Sequence, residues 1–347
     1  MKQFVQMTAV LIISLGFLST CQTKPVKDKP HHTKSGFRNV NPNFENKNLI
    51  NVIWWQIERL SLRNSLDPKD YPEFPTLHND GKTLRSNQKS LSVTWVGHAS
   101  TLIQLDNVNI LTDPIWSERC SPVSFAGPKR FTKPGLSLDD LPPIDIVILS
   151  HNHYDHTDLP TLKELERRFH PRFFIGLGNQ TWLQKEGLGS VSEMDWWDKI
   201  EVKGIRLHFT PSQHFSGRGL FDRDETLWGS YVLEGKSQKV YFGGDTGYYS
   251  HFREIGERFG SFDVAILPIG AFEPRWFMAP VHVDPAETVQ AFVDLRAKYL
   301  IPIHYMTFVL SDEALDSPVP LAKEAMAKLK KSEDALVPLK IGETRFF

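Results

Sequence analysis

Short apolar runs separated by glycine, proline, asparagine and aspartate recur along the chain, and this pattern predicts a core built from many strands. The run from Ile144 to Leu149 is apolar at nearly every position, which indicates a strand buried on both faces. The other runs predict strands at 91–96, 101–105, 108–112, 172–175, 205–210, 228–233, 239–242 and 262–269.

Apolar residues at helical spacing predict helices between these strands. The first covers 49–60 and should pack on the main domain through a stripe formed by Ile53, Ile57 and Leu60. A membrane or partner contact through Trp54 and Trp55 is the alternative. Further helices are predicted at 158–169, from 284 onward and at 318–331. Two groups of strands interleaved with helices place the chain in the α/β class.

Residues 1–21 predict a bacterial signal peptide with a lipobox. Lys2 supplies a positive start, and the apolar stretch at 8–18 is short for a membrane span. The sequence Leu18-Ser-Thr-Cys21 resembles a lipobox, in which Cys21 becomes lipidated; an ordinary cleaved signal and an uncleaved anchor are the alternatives. We therefore expect a lipid-anchored protein of the bacterial cell envelope, on the outer membrane or the periplasmic face.

Residues 22–40 are rich in Lys, Pro, Thr and His, a composition that predicts a flexible tether. Within it, His31 and His32 are interpreted as a solvated pair and not as metal ligands. If Cys21 is lipidated, Cys120 has no partner and no disulfide framework exists. Residues 41–347 then form one large domain.

Charge and composition exclude some function classes. The 347 residues include 40 basic and 41 acidic side chains, for a formal net charge of -1, which argues against a nucleic-acid partner. A hydrophobic content of 40% can bury a large core. The aromatic content of 12% indicates either that core or a groove that faces lipid.

The segment from His151 to Asp158 places three histidines and an aspartate directly after the buried strand. Ligands gather at the carboxyl ends of strands in α/β sheets, so this is where a site is expected. Alternation along an extended segment would send His151, His153 and Asp155 to one side, with His156 folding in beside Asp155. Four metal-ligand side chains so close together suggest two metal ions and not one.

The pattern H-x-H-x-D-H after a strand resembles the signature of the metallo-β-lactamase superfamily. The resemblance implies a four-layer αββα sandwich and two zinc ions, although iron and manganese accept the same ligands. It also implies that His214, Asp245 and His304 complete the site. One ion would be held by His151, His153 and His214, the other by Asp155, His156 and His304, and Asp245 would bridge both.

Additional motifs resemble the branch of phospholipase D enzymes that hydrolyse N-acylphosphatidylethanolamine. These motifs are residues 95–100, 227–230, 243–248 and 282–287, within a similarity that runs roughly from Asn41 to the C-terminus. The resemblance implies hydrolysis of this phospholipid to an N-acylethanolamine and phosphatidic acid by a hydroxide that bridges the metals. It assigns substrate contacts to Tyr154 and His282. Asp245 would orient the nucleophile, and His282 would bind phosphate or protonate the leaving alkoxide.

Two residues outside the ligand set have two interpretations each. Asp113 ends the third predicted strand, where the resemblance implies support of a ligand histidine, but a simple turn residue is the alternative. His98 is placed near the site by the same resemblance, although a lone histidine at a hairpin is more often structural.

Other functions share parts of this evidence. A metal-dependent hydrolase of another small phosphodiester or of a lactone would use the same ligands. A nuclease is disfavoured, because the chain has no basic run. A non-enzymatic surface lipoprotein would not need the complete ligand set.

Overall fold

The computed structural model describes residues 29–62 and 73–347. Its strands are β1 Leu91–Gly97, β2 Ser100–Leu105, β3 Val108–Thr112, β4 Ile146–Ile148, β5 Arg172–Gly176, β6 Val191–Met194, β7 Lys199–Val202, β8 Ile205–Thr210, β9 Ser230–Glu234, β10 Lys239–Phe242, β11 Phe262–Pro268, β12 Ala297–Ile303 and β13 Thr344–Phe346. Its α-helices are α1 Leu49–Leu62, α2 Lys82–Arg85, α3 Leu159–Phe169, α4 Gln180–Lys185, α5 His251–Phe259, α6 Arg275–Met278, α7 Pro285–Asp294 and α8 Pro318–Lys328.

The strands form two mixed sheets. The first sheet has the order β13-β1-β2-β3-β4-β5-β6, and the second has the order β12-β11-β10-β9-β8-β7. In the first sheet the pairs from β3 to β6 are parallel. In the second sheet β10, β11 and β12 are parallel to one another. The carboxyl ends of the parallel strands in each sheet therefore lie at one edge.

Three apolar layers hold the sheets and helices together. The central layer lies between the sheets and includes Trp95, Phe174 and Phe242 from strands of both. A second layer joins the second sheet to helices α5, α7 and α8. The third joins the first sheet to α2, α3 and α4. These layers confirm the predicted αββα sandwich.

Helix α1 forms where the sequence predicts it, but it packs through a different face. Ile53 and Ile57 are 51% and 54% exposed, so the prediction that they pack on the domain is wrong, while the side chain of Leu60 lies outside the described part of the structure. Trp55 makes the contact instead: it stacks on Phe277 and donates its indole N–H to Asp312. Arg59, one turn further along the helix, donates to the carbonyl of Ser311 and pairs with the same Asp312, so the helix is held by an aromatic contact and by polar contacts.

The residues after position 28 are not a free tether. His31 is 4% exposed, and its ring stacks on Trp196 with 4.3 Å between the centroids. The Nε2 atoms of His31 and His32 lie 2.7 and 2.8 Å from the carboxylate oxygens of Asp195. The prediction of a solvated histidine pair in a flexible segment is therefore wrong for residues 29–40, because a buried carboxylate holds both imidazoles.

The predicted signal peptide, Cys21 and the first part of the predicted tether lie outside the described residues. Within the described residues, no helix has both the length and the apolar content needed to cross a membrane. The lipid anchor therefore stays a prediction from the sequence.

Aspartates precede the first residues of α3 and α7, but only one of them makes a capping hydrogen bond. Asp284 caps α7 with a complete capping box, in which its carboxylate accepts the Glu287 N–H. Asp158 occupies the N-cap position of α3, but its side chain makes no capping bond. Its carboxylate accepts instead from the hydroxyls of Ser117 and Thr161, so it ties a neighbouring loop to the helix.

Candidate metal centre

The predicted ligands come from loops that leave the two sheets at the same edge. The loop after β4 carries the histidine motif, and the loop after β8 carries His214. Asp245 follows β10, and His304 follows β12 directly. Because the sheets are packed face to face, these loops meet between them, and residues separated by up to 153 positions in sequence share one site.

One group consists of His151, His153 and His214. Nε2 of His151 lies 2.7 Å from Nδ1 of His153, and that Nδ1 lies 3.3 Å from Nε2 of His214. The Nδ1–H of His214 donates to the carbonyl of Val281, at 2.9 Å. Since a carbonyl only accepts, this bond fixes the proton on Nδ1 and leaves the lone pair of Nε2 directed to the group.

The second group consists of Asp155, His156 and His304. An oxygen of Asp155 lies 3.3 Å from Nε2 of His156 and 3.4 Å from Nε2 of His304. The two imidazole Nε2 atoms are themselves 3.3 Å apart. These three side chains converge on one point, as the sequence resemblance predicts.

Asp245 lies between the two groups and is 4% exposed. Its Oδ2 is 3.1 Å from Nε2 of His156 and 3.8 Å from Nε2 of His214, and its Oδ1 is 3.2 Å from Nε2 of His304. It therefore contacts both groups, which is the position required of a bridging carboxylate.

The histidine motif itself forms a turn and not an extended segment. The backbone N–H groups of His156 and Thr157 both donate to the carbonyl of His153. The expectation that His151, His153 and Asp155 face one side is therefore wrong. The turn sends His153 to the first group and Asp155 to the second, so one six-residue segment supplies side chains to both groups.

Asp113 supports the second group from behind, in the position that the functional interpretation of this residue expects. Its Oδ2 lies 2.7 Å from Nδ1 of His156 and 2.6 Å from the hydroxyl of Ser150. Its Oδ1 accepts the Ser150 N–H at 2.7 Å. Ser150 in turn lies 2.9 Å from Nδ1 of His151, so one buried carboxylate orients ligand histidines of both groups.

His98 lies at the site, although a lone histidine at a hairpin more often has a structural role. Its Nε2 lies 3.0 Å from Asp155, and its ring centroid is 4.1 Å from that of His304. The signal that locates it is the strand pairing. Thr101 of β2 pairs with Thr112 of β3, so the β1–β2 hairpin must turn at the edge where β3 ends.

The two residues expected to contact substrate lie at different distances from the centre. Nδ1 of His282 is 4.0 Å from Oδ2 of Asp245, and its ring centroid is 5.2 Å from that of His214. The hydroxyl of Tyr154 donates to the carbonyl of Arg218, whose guanidinium covers the tyrosine ring at 3.9 Å. His282 therefore borders the metal centre, whereas Tyr154 packs against Arg218 and against the apolar cluster of Ile115, Cys120 and Phe308.

The imidazoles of the first group are held in the neutral state that binds metal ions. Burial lowers the pKa of His151 and of His214 well below the ordinary value of 6.5. It lowers the pKa of His153 to about 4. All three side chains are thus neutral at neutral pH, the protonation state in which imidazole binds a metal.

In the second group, buried carboxylates and buried imidazoles shift each other's pKa values in opposite directions. Burial acts to lower the pKa of His304, but Asp245 and Asp155 oppose it and raise the pKa to about 9. Burial likewise acts to raise the pKa of Asp245, yet the imidazoles of His156 and His304 bring it well below the ordinary value. Without a cation the carboxylates thus draw protons onto these histidines, and a metal ion would replace those protons.

The donor set fits divalent metal ions. The converging atoms are imidazole nitrogens and carboxylate oxygens, which suit zinc and iron. Oδ1 of Asp245 is buried without a hydrogen-bond partner among the described residues, and a coordinated ion would satisfy it. The ring nitrogens of His151, His156 and His214 that face away from the centre are all hydrogen-bonded, as the outer nitrogens of metal-bound histidines are.

Backbone geometry at the site is unusual. His98, Asp113 and His304 have positive φ angles of 53°, 35° and 67°. Gly244 has φ +57°, and a Cβ there would lie 2.4 Å from Cβ of Ser150. Glycine at this position lets the loop of Asp245 pack directly against the segment that carries His151. Uncommon backbone conformations of this kind are found at functional sites.

Comparison with known proteins shows what the chain is similar to. A family model described as the beta-lactamase superfamily domain matches residues 108–305. N-acyl-phosphatidylethanolamine-hydrolyzing phospholipase D 1 of Caenorhabditis elegans is 38% identical over 271 residues, which cover 74% of this chain and 76% of that protein. The mitochondrial N-acyl-phosphatidylethanolamine-hydrolyzing phospholipase D of Saccharomyces cerevisiae is 33% identical over 261 residues, covering 73% of this chain and 55% of that protein.

A solved structure agrees with the fold. The structure of a possible metal-dependent hydrolase from Veillonella parvula superposes with a TM-score of 0.61 and 18% sequence identity. The match covers 75% of this chain and 100% of that one. At this identity the similarity concerns the arrangement of sheets and helices.

Proposed function

The chain belongs to the metallo-β-lactamase superfamily and is a metal-dependent hydrolase of that fold. From this premise we propose that it hydrolyses N-acylphosphatidylethanolamine to an N-acylethanolamine and phosphatidic acid. The observation that carries the proposal is the convergence of the seven predicted ligands in one site, in a chain that is 38% and 33% identical to two enzymes named for this reaction. We propose two zinc ions as the cofactors.

The residues that would hold the metals are those of the two groups with Asp245 between them. A pair of bound metal ions supplies an activated water for attack on phosphorus and offsets the negative charge of the phosphate oxygens. Water adds to phosphorus, the bond from phosphorus to the ethanolamine oxygen breaks, and the leaving alkoxide takes a proton. Asp245 lies where it would orient the attacking water, because it contacts both groups.

His282 is the proposed partner of the phosphate or of the leaving oxygen. Burial lowers its pKa to about 4, so its imidazole is neutral at neutral pH and can donate one N–H. Its Nδ1 is buried and has no hydrogen-bond partner among the described residues, so a substrate oxygen can use it. Tyr154 is proposed to contact the substrate through its ring, because its hydroxyl is already bonded to Arg218.

A panel of substrates tests the proposal. Purified protein supplied with Zn²⁺ is expected to release N-acylethanolamine from N-acylphosphatidylethanolamine vesicles, and a chelator should abolish the release. Bis-nitrophenyl phosphate and a lactone serve as comparison substrates for the alternative functions. Turnover of the lactone or the simple diester without turnover of the phospholipid would refute the lipid assignment and leave the hydrolase assignment in place.

We also propose that Cys21 carries a lipid that holds the enzyme at the membrane where such a substrate resides. In a bacterial host, the protein is expected in the membrane fraction and in the detergent phase of a phase separation. The Cys21→Ser variant should move to the soluble fraction or retain an uncleaved signal. Equal detergent partitioning of both forms, with cleaved termini, would contradict lipidation.

A further inference from the structure

The segment from Lys29 to Asn41, here called the N-terminal arm, contacts the backbone of a proposed metal ligand. The side-chain amide of Asn39 donates to the carbonyl of His214 at 2.7 Å. Its Oδ1 accepts the N–H of His214 at 3.2 Å. We propose that Asn39 is a positioning residue that fixes His214 in the metal centre, an inference that rests on the proposed metal-dependent function.

The two bonds define the side chain required at this position. The backbone of His214 presents one donor and one acceptor, and the amide of Asn39 offers the complementary acceptor and donor on two separate atoms. An aspartate has no donor, and it would place a negative oxygen against the carbonyl of His214. An alanine makes neither bond and leaves both peptide groups of His214 without these partners.

Asn39 and Val281 restrain different parts of His214. The bond from Nδ1 of His214 to Val281 fixes the orientation of the imidazole. Asn39 fixes the main chain from which that imidazole extends. Asn41 adds a third contact nearby, since its amide donates to the side chain of Gln213 at 2.7 Å. The arm thus holds two consecutive residues of the ligand loop.

The arm is itself held firmly, so that Asn39 is presented in a defined place. Asp195 accepts from Nζ of Lys29 and contacts both His31 and His32, as described above. Phe37 is 6% exposed and belongs to the central apolar layer. Its backbone N–H donates to the carbonyl of Asp224. Because the residues just before it are fixed in this way, Asn39 is held in a defined place against the loop that carries His214.

Metal affinity tests this inference. In the Asn39→Ala variant of the full chain, the dissociation constant of the Zn²⁺ proposed to bind at the group of His214, measured by competition with a chelator, is expected to rise about 10-fold, the lower end of the loss seen when support of a ligand is removed. Asn39→Asp, which keeps the size of the side chain, should show the same direction. Asn43→Ala, at an exposed asparagine two residues beyond the arm, is the matched control and should leave the constant unchanged.

Thermal unfolding separates positioning from a general loss of stability. At a fixed Zn²⁺ concentration, the rise in melting temperature is larger when the folded state binds Zn²⁺ more tightly, and it grows with the logarithm of the affinity. Positioning predicts that the rise produced by Zn²⁺ is smaller in Asn39→Ala and Asn39→Asp than in the wild type. A purely structural role predicts equal lowering of the melting temperature with and without metal, and that result, with unchanged affinity, would overturn the inference. A wild-type protein that binds no metal would overturn the proposed function together with it.

Discussion

Asp245→Asn protein is expected to lose metal and to lose hydrolytic activity by more than about 100-fold, beyond the 10-fold to 100-fold typical for removal of a group that only supports a ligand. The carboxylate contacts His156 and His304 at 3.1 and 3.2 Å and lies near His214 as well. The amide that replaces it has no charge to offer two cations. Elemental analysis after dialysis and the rate of phospholipid hydrolysis measure the two effects.

His282→Ala provides the contrast to Asp245→Asn. The His282 ring borders Asp245, yet it is proposed to bind substrate and not metal. The variant should therefore keep the metal content of the wild type while its turnover falls. Asp245→Asn protein that retains both its metal and its activity would refute the bridging role. Wild-type turnover by His282→Ala protein would refute only the role of His282.

The order of the ligands is predictable from sequence because the resemblance implies that a His, an Asp and a His follow the histidine motif, each at the end of a strand. His304 comes directly after β12, and Asp245 comes after β10 and two glycines. Strand ends of packed sheets meet at an edge, so the positions of these residues follow once the fold is known. The resemblance in motifs supplied the fold, and the spacing of the motifs alone did not.

The direction of each side chain is less predictable than its position. Asp155 faces a different metal position from His153 because a turn, set by hydrogen bonds to the carbonyl of His153, replaces the expected extended segment. Side-chain alternation assumes a strand, and a loop after a strand need not continue it. His98 likewise could not be placed from its neighbours in sequence alone, because its position at the site depends on the pairing of β2 with β3.

The N-terminal arm shows why composition is a weak guide to order. Residues 29–40 are polar and rich in lysine, which predicts disorder when apolar burial is the only stabilising contribution considered. Here the charged and imidazole groups of Lys29 and His31 meet a single buried carboxylate, Asp195. Burial acts to raise the pKa of Asp195, but hydrogen bonds from these groups bring the pKa below its ordinary value. A long-range polar partner of this kind cannot be identified from a local sequence pattern.

Asp113→Asn is expected to lower metal affinity at the second position by about 10-fold to 100-fold while most of the folded structure is kept. Asp113 is fully buried and holds Nδ1 of His156 at 2.7 Å. As long as that oxygen accepts, the proton stays on Nδ1 and Nε2 is free to bind metal. The amide nitrogen of an asparagine facing the ring would instead donate, place the proton on Nε2 and block the ligand. Chelator competition measures the affinity.

Asp113→Ala should be the more damaging change to stability, by about 3 to 5 kcal/mol, because three buried donors from Ser150 and His156 lose their acceptor. Denaturant unfolding of metal-free protein measures this loss. Asp158→Asn is the matched control, since this buried carboxylate accepts from Ser117 and Thr161 in the adjoining loop and helix. It should cost stability without changing metal affinity. Equal metal affinities in Asp113→Asn, Asp158→Asn and wild-type protein would show that Asp113 stabilises the fold but does not control the protonation state of His156.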